Sequence, residues 1–201
     1  MPKNLEGIIL AAGESRRMGY PKPLLKIDGR TFIEQIAETM LAVVPRLVIV
    51  LGAHHERVRA AIPHDARIVI VENPNHSRGQ LSSLKVGLSA LQPNAAGALV
   101  HLGDHPMVKV ETFRAIVDSY NQSSKPIVIA RNYGHRGHPV IFDRAMFAEL
   151  ESAPEGEGAR HVVNANPSRV AYVDLNDPGI NLDLDTPSDL ARAGLSMPQR
   201  E

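Results

Sequence analysis

Apolar residues in this chain gather into short continuous runs, and this limits the possible folds more than any other feature. Residues 7–12, 47–51, 68–71, 98–102 and 127–130 are apolar almost throughout. A strand with one wet face alternates apolar and polar residues. A continuous run is what a strand carries when both faces are covered. Helix patterns lie between the runs. Residues 31–44 place Phe32, Ile33, Ile36, Ala37, Met40 and Leu41 on one face, and Thr31 followed by Glu34 is a capping-box signature. Residues 81–91 and 110–120 read the same way. This strand–helix alternation predicts a three-layer α/β fold, with a mostly parallel sheet and helices on both faces. Residues 170–173 read as a last strand. Thr186 as N-cap, Pro187 at the first helical position and Asp189 in the first turn then open a final helix. The segment after Gly194 is expected to fray.

With 201 residues, 43% of them apolar, the chain can bury one sizeable core. We read 1–201 as a single domain. Residues 131–167 break the rhythm. They are rich in Gly, His and Arg, hold one short strand pattern at 139–142, and read as an insertion or lid beside a pocket. The 22 basic residues balance the 22 acidic ones, which argues against a general nucleic-acid surface. Aromatic residues make up 4% and tryptophan is absent, so stacking platforms for single-stranded nucleic acid are not expected. The absence of cysteine excludes disulfides and thiolate chemistry and fits a reducing, cytoplasmic compartment. Met1 to Glu6 is polar, so no signal peptide is expected, and no apolar run is long enough to suggest a membrane span.

The first run leads into Gly13-Glu14-Ser15-Arg16-Arg17-Met18-Gly19-Tyr20-Pro21-Lys22. A strand entering a loop of small residues and cations suits phosphate. Glycine lets the backbone approach and turn its N–H groups inward, Arg17 offers a fork of donors, and Lys22 offers a point charge. The spacing fits neither a Walker A loop, G-x-x-x-x-G-K-S/T, nor a dinucleotide fingerprint, G-x-G-x-x-G. A second station, Gly103-Asp104-His105-Pro106, follows the run at 98–102. Asp104 at the end of a central strand is a hard oxygen donor suited to Mg2+ on phosphates, or else it caps the next helix. A third is Asn181-Leu182-Asp183-Leu184-Asp185-Thr186-Pro187. In an extended segment Asp183 and Asp185 share a side and either completes a metal site with Asp104. Asp185 has a competing task near the last helix's N-terminus, so Asp183 is slightly favoured. Gln80, Ser82 and Ser83 in Gly79–Leu84 hydrogen-bond a base or ribose, or cap a helix. The nine histidines show no H-E-x-x-H spacing or other ligand pattern.

Leu10-Ala11-Ala12-Gly13, Ser15, Arg17-Met18-Gly19, Pro21-Lys22 and Leu24-Leu25 together closely resemble the signature of the MobA-like nucleotidyltransferases, nearest to the molybdopterin cytidylyltransferase branch. The resemblance extends from Ile8 to Leu190. It implies a nucleotide-diphospho-sugar transferase-like, Rossmann-like fold. It also implies that the loop wraps a nucleoside triphosphate through Leu10, Ala11, Ala12, Gly13 and Ser15, with Arg17 and Lys22 on the phosphates. Asp104 stands where the family's G-D-x-P element carries its Mg2+ ligand, and the 181–190 stretch matches an N-x-D/N-T-P-x-D/E-L ending. Gly79–Leu84 resembles a G-x-x-x-S-L element, and Gly52-Ala53 is implied to lie against the base. His138, in a G-x-P-V element, is placed at the acceptor. Arg160, in a turn that matches the branch's G-x-x-G-A-R only loosely at Glu157, is placed on an acceptor phosphate.

The chemistry so implied is attack of an acceptor phosphate on the α-phosphorus of CTP, or alternatively GTP. The acceptor is a phosphorylated compound such as molybdopterin, pyrophosphate leaves, and transient contact with a molybdoenzyme is implied. Three alternatives remain open: a sugar 1-phosphate acceptor, a guanylyl donor, and a non-catalytic nucleotide-binding regulator. The last has no need of metal carboxylates.

Overall fold

The computed structural model describes residues 2–198. In chain order its elements are β1 (Leu5–Ala11), β2 (Lys26–Ile27), β3 (Arg30–Thr31), α1 (Phe32–Leu41), β4 (Leu47–Leu51), α2 (His55–Ala60), β5 (Ile68–Glu72), α3 (Gln80–Ser89), β6 (Gly97–Leu102), α4 (Val110–Gln122), β7 (Ile127–Asn132), β8 (His135–Asp143), α5 (Phe147–Ser152), α6 (Arg160–Ala165), β9 (Val170–Asp174) and α7 (Pro187–Arg192). Seven strands form one sheet in the order β5-β4-β1-β6-β8-β7-β9. All neighbours are parallel except β8, which runs antiparallel to both β6 and β7.

The continuous apolar runs have the expected cause. Along β1, Ile8 and Ile9 point to opposite faces, and both are fully buried. Ile9 joins a core with Phe32 of α1, Val58 of α2, Phe113 of α4 and Leu190 of α7. Ile8 joins the other core, with Leu81 of α3, Leu150 of α5 and Val162 of α6. This is the three-layer arrangement. The anticipated capping box at α1 forms, and the anticipated N-cap of α7 proves to be a second one. Thr31 accepts the Glu34 N–H while Glu34 takes the Thr31 N–H at 2.6 Å, and Thr186 and Asp189 do the same at α7. The end of the chain departs from expectation, since Leu195 and Met197 pack against the first core. Residues 199–201, which the expected fraying included, lie outside the described residues. No helix among the described residues is long and apolar enough to cross a membrane.

The 131–167 region is not wholly an insertion. Its strand is nine residues long and lies inside the sheet, between β6 and β7. The apolar half, Val140 to Phe142, pairs with β6 in the core. The other half, from His135, runs past that pairing and is polar, so hydrophobic patterning misses it. What remains beside the sheet, α5 and α6 with their loops, is the part that flanks a cavity.

Because β1 and β6 are parallel neighbours, their carboxyl ends open on one edge. The loop after Ala11 and the Gly103-Asp104 turn after Leu102 therefore emerge side by side, tied by a Gly103 N–H to Leu10 carbonyl bond of 2.9 Å. Ligands of open parallel sheets sit beyond this edge.

Candidate active site

The phosphate-type loop folds around Ser15, a non-glycine residue at φ 53°. Its carbonyl accepts the N–H groups of Met18 and Gly19, each at 3.1 Å, and its Oγ accepts the Lys22 N–H at 3.0 Å. Met18 is 2% exposed and roots the loop in the core. Buried Pro23 and Leu24 do the same directly after Lys22, so that side chain leaves a fixed base.

Lys22 Nζ donates to Asp104 Oδ2 at 2.8 Å and also to Asp185 Oδ1. Arg17 pairs with the other Asp185 oxygen at 2.6 Å. The Lys22 side chain is only 12% exposed. Burial alone would lower its pKa, but Asp104 and Asp185 outweigh that and hold it above an ordinary lysine. The Lys22 hydrogen bond and charge, with Arg17 behind them, hold Asp185 below the usual carboxylate range. Two cations and two carboxylates thus face one another at the sheet's carboxyl edge.

These groups border a cleft of about 340 Å³. Leu10, Ala11, Ala12, Gly13, Ser15, Arg17, Lys22, Gln80, Ser83, Asp104 and Asp185 all line it. Arg16 and His76 line it too. Sequence reasoning passed over Arg16 although it stands beside Arg17, and His76 carried no signal apart from its nearness to Gly79.

Several expectations are corrected. Asp183 does not line the cleft. Its side chain is 75% exposed and faces His105 at 3.4 Å. Residues 182–185 form no strand, so the two-residue alternation that was to put both aspartates on one side does not apply. Ser82 is buried behind the cleft, where its hydroxyl donates to the Gly79 carbonyl at 2.8 Å. Gly52 and Ala53 support the loop rather than line the cleft. A Cβ on Gly52 would stand 2.5 Å from the Ala12 carbonyl, and the Ala53 N–H meets that same carbonyl at 3.3 Å.

A second cavity, of about 1200 Å³, adjoins the first along Leu10, Gly79 and Gln80. His138 and Arg160 line it, joined by Arg136 and His161. Arg136 was missed although it lies two residues before His138, on the same face of β8. The Gly156-Glu157-Gly158 turn closes one side of the cavity, and Arg78 ties Glu155 to the start of α3 at 2.7 Å.

His101, His105 and His138 cluster beneath Asp104, with neighbouring ring centroids 6.2 Å apart. Burial, reinforced by the His138 charge, pushes His101 well below an ordinary histidine. Burial with the His105 charge pushes His138 to about 4. The unfolded chain protonates His101 and His138 near pH ~6.5. It therefore binds more protons than the folded chain as pH falls, and stability drops through a window from about pH 6.5 to 4. His138 alone accounts for up to about 3 kcal/mol. The melting temperature is expected to fall through this window, and His138→Gln to flatten the fall. An equal slope in the variant would assign the loss to other groups.

Comparison with known proteins places this geometry in context. The model of the MobA-like NTP transferase domain matches residues 7–170. A protein named nicotine blue oxidoreductase, from Paenarthrobacter nicotinovorans, is 33% identical over 199 residues, covering 92% of this chain and 94% of its own. The molybdenum cofactor cytidylyltransferase of Escherichia coli strain K12 is 26% identical over 189 residues, covering 94% and 95%. Among solved structures, Rv0371c of Mycobacterium tuberculosis H37Rv superposes with a TM-score of 0.82 at 32% identity, covering 96% and 97%. A manganese complex of that protein superposes with a TM-score of 0.72 at 30% identity, covering 96% and 98%.

Proposed function

The chain belongs to the MobA-like NTP transferase domain family, and from that premise we propose a Mg2+-dependent nucleotidyltransferase that moves CMP from CTP onto the phosphate of molybdopterin and releases pyrophosphate. The observation that carries this reading is the convergence of Asp104 and Asp185 on Lys22 at the mouth of a cation-lined cleft.

The residues present fit a divalent ion. Two carboxylates already share one cationic partner, the Lys22 ammonium. Among the described residues no three His, Cys, Asp or Glu side chains gather as a full cage. That suits Mg2+, which takes one or two carboxylates and fills its shell with phosphate oxygens and water. Asp104 and Asp185 would hold it, and when bound it neutralises phosphate charge and orients the reacting groups. The manganese carried by a relative supports a divalent ion here.

The chain's own part is positioning and charge stabilisation, the main demands of phosphoryl chemistry. Arg16, Arg17 and Lys22 meet the triphosphate. As it enters, Lys22 and Arg17 exchange their carboxylate partners for phosphate oxygens, so no buried charge is left unpaired. His138, Arg136 and Arg160 receive the acceptor in the adjoining cavity. A phosphate acceptor is already ionised near neutral pH, so no general base is required.

The donor preference follows the likeness to the cytidylyl branch, in particular Gly79 to Leu84 and Gly158 to Arg160. A wrong base leaves buried polar groups unpaired, so kcat/KM for CTP is expected to exceed that for GTP by roughly a hundredfold. Pyrophosphate release with each triphosphate, given molybdopterin or a sugar 1-phosphate as acceptor, tests donor and acceptor together. Equal use of CTP and GTP would refute the preference, and binding of GTP alone would move the chain to guanylyl transfer and leave the reaction class standing. The relative named nicotine blue oxidoreductase favours a second reading, an oxidoreductase.

A further inference from the structure

Asn73 lies immediately after β5 and is 2% exposed. Its backbone N–H donates to the Leu51 carbonyl at 2.8 Å, which ties it to the end of β4. Its Oδ1 accepts the Asn75 N–H at 2.9 Å. A backbone N–H can only donate, so this contact fixes which end of the side-chain amide is oxygen. Nδ2 must then face α3, where it meets Ser82 Oγ at 2.8 Å and Ser83 Oγ at 3.0 Å. An amide nitrogen only donates. Both serine oxygens therefore accept from Asn73, and each hydroxyl must send its own proton elsewhere.

Ser82 sends its proton to the Gly79 carbonyl, 2.8 Å away. Ser83 has no such outlet. Asn73 is its only side-chain hydrogen-bond partner among the described residues, and there Ser83 accepts. Ser83 is 3% exposed and lines the cleft that Lys22 and Asp104 border. Its O–H is thus a buried donor without a side-chain or backbone acceptor, on a residue that lines the cleft. Leaving such a donor unmade is costly, and native structures rarely do so unless a ligand completes the bond.

We infer that Asn73 is a positioning residue that makes Ser83 an obligate hydrogen-bond donor toward an acceptor atom of the nucleobase. The inference rests on reading this cleft as the nucleotide site. The base, rather than the phosphates, is the partner because the loop's cations, Arg16, Arg17 and Lys22, stand on one side of the cleft. The side built from Gly79, Gln80 and Ser83 carries no charged group. The N–H groups of Gln80 and Leu81 at the start of α3 precede the first helical bond, which Ser82 makes to the Gly79 carbonyl at 3.2 Å, so this wall offers further donors. Cytosine offers it adjacent acceptors, O2 and N3. The pairing edge of guanine offers two donors beside a single acceptor. Asn73 therefore acts on base selection through Ser83 without touching the base.

The test is a double-mutant cycle on CTP binding, measured by titration calorimetry on the full chain, with GTP in parallel. Asn73→Asp reverses the polarity, because a carboxylate only accepts and draws both serine protons toward itself. Asn73→Ala removes the amide and frees the Ser83 hydroxyl to turn, which guards against failure of the aspartate variant to fold. Asn73→Asp and Ser83→Ala are each expected to weaken CTP binding about tenfold or more, and Asn73→Ala by less, with KM rising and kcat nearly constant. In the Ser83→Ala background neither Asn73 substitution should weaken CTP further. Melting temperature without nucleotide records any purely structural loss, which would appear in both backgrounds. Wild-type CTP affinity in Asn73→Asp, or a loss of the same size with and without Ser83, would overturn the inference. Failure of the wild-type chain to bind any triphosphate would instead overturn the nucleotide reading beneath it.

Discussion

Replacing Lys22 with alanine is expected to lower kcat about a thousandfold, the scale on which losing one preorganised charge donor acts on a transition state. The Lys22 ammonium stands between Asp104 and Asp185, with the side chain fixed by the buried Pro23–Leu24 turn and by the Ser15 bond to its N–H. It is already placed where a transferring phosphoryl group would need charge. Lys22→Arg is not expected to restore the rate, because a planar fork does not fit a point-charge position that is 12% exposed. The same substitution has a consequence outside catalysis. Without the ammonium, Asp104 loses its cationic partner and Asp185 keeps only Arg17, so Lys22→Ala should bind free Mn2+ at least tenfold more tightly than the wild type when no nucleotide is present. Titration followed by electron paramagnetic resonance reads this directly. Unchanged Mn2+ affinity would mean that Lys22 and the ion do not share the two carboxylates.

Asp104→Asn should be equally severe, with turnover falling about a thousandfold or more while the melting temperature stays within a few degrees, because the carboxylate is a ligand candidate at the surface of the cleft and not a core group. The paired aspartates separate the two readings of the C-terminal acidic stretch. Asp185→Asn removes a partner of both Lys22 and Arg17 and should cost about a hundredfold. Asp183→Asn alters a side chain that is 75% exposed and should cost less than about threefold. If Asp183→Asn proved the more damaging, the metal would lie on the His105 side and the assignment of Asp185 would fall. Steady-state kinetics at saturating and limiting Mg2+ distinguish these outcomes.

The layers of the fold were legible because each continuous apolar run answered to a strand of the sheet, buried on both faces except in the half-buried edge strand β5, and because the Thr31 capping box and the Thr186 N-cap announced their helices through short-range chemistry. The chief miss was β8. Its inner half reads as a strand, but its outer half carries Arg136 and His138 into a cavity, and a hydrophobic pattern cannot recognise a strand through polar residues. Site residues on the N-terminal loop were legible because strand, glycine and cations occur together within a dozen positions. The choice between Asp183 and Asp185 depended on the backbone between them, and an alternation rule presumes an extended strand that residues 182–185 do not form. Gly52 and Ser82 were legible as special positions but not as supports, because only the fold brings Gly52 against Ala12 and Ser82 against Asn73. The role of Asn73 was not legible at all. It rests on the direction of one amide, which the contact with the Asn75 N–H determines.

The central claim is that this cleft transfers a nucleotidyl group. The measurement that tests it most directly follows the fate of CTP labelled at the α-phosphorus, incubated with the protein, Mg2+ and molybdopterin. The account predicts that the label appears on the acceptor with one pyrophosphate released for each transfer, that chelation of the metal stops it, and that Asp104→Asn abolishes it. Release of inorganic phosphate or CDP in place of pyrophosphate would contradict the account. So would the absence of label transfer from any triphosphate under the same conditions.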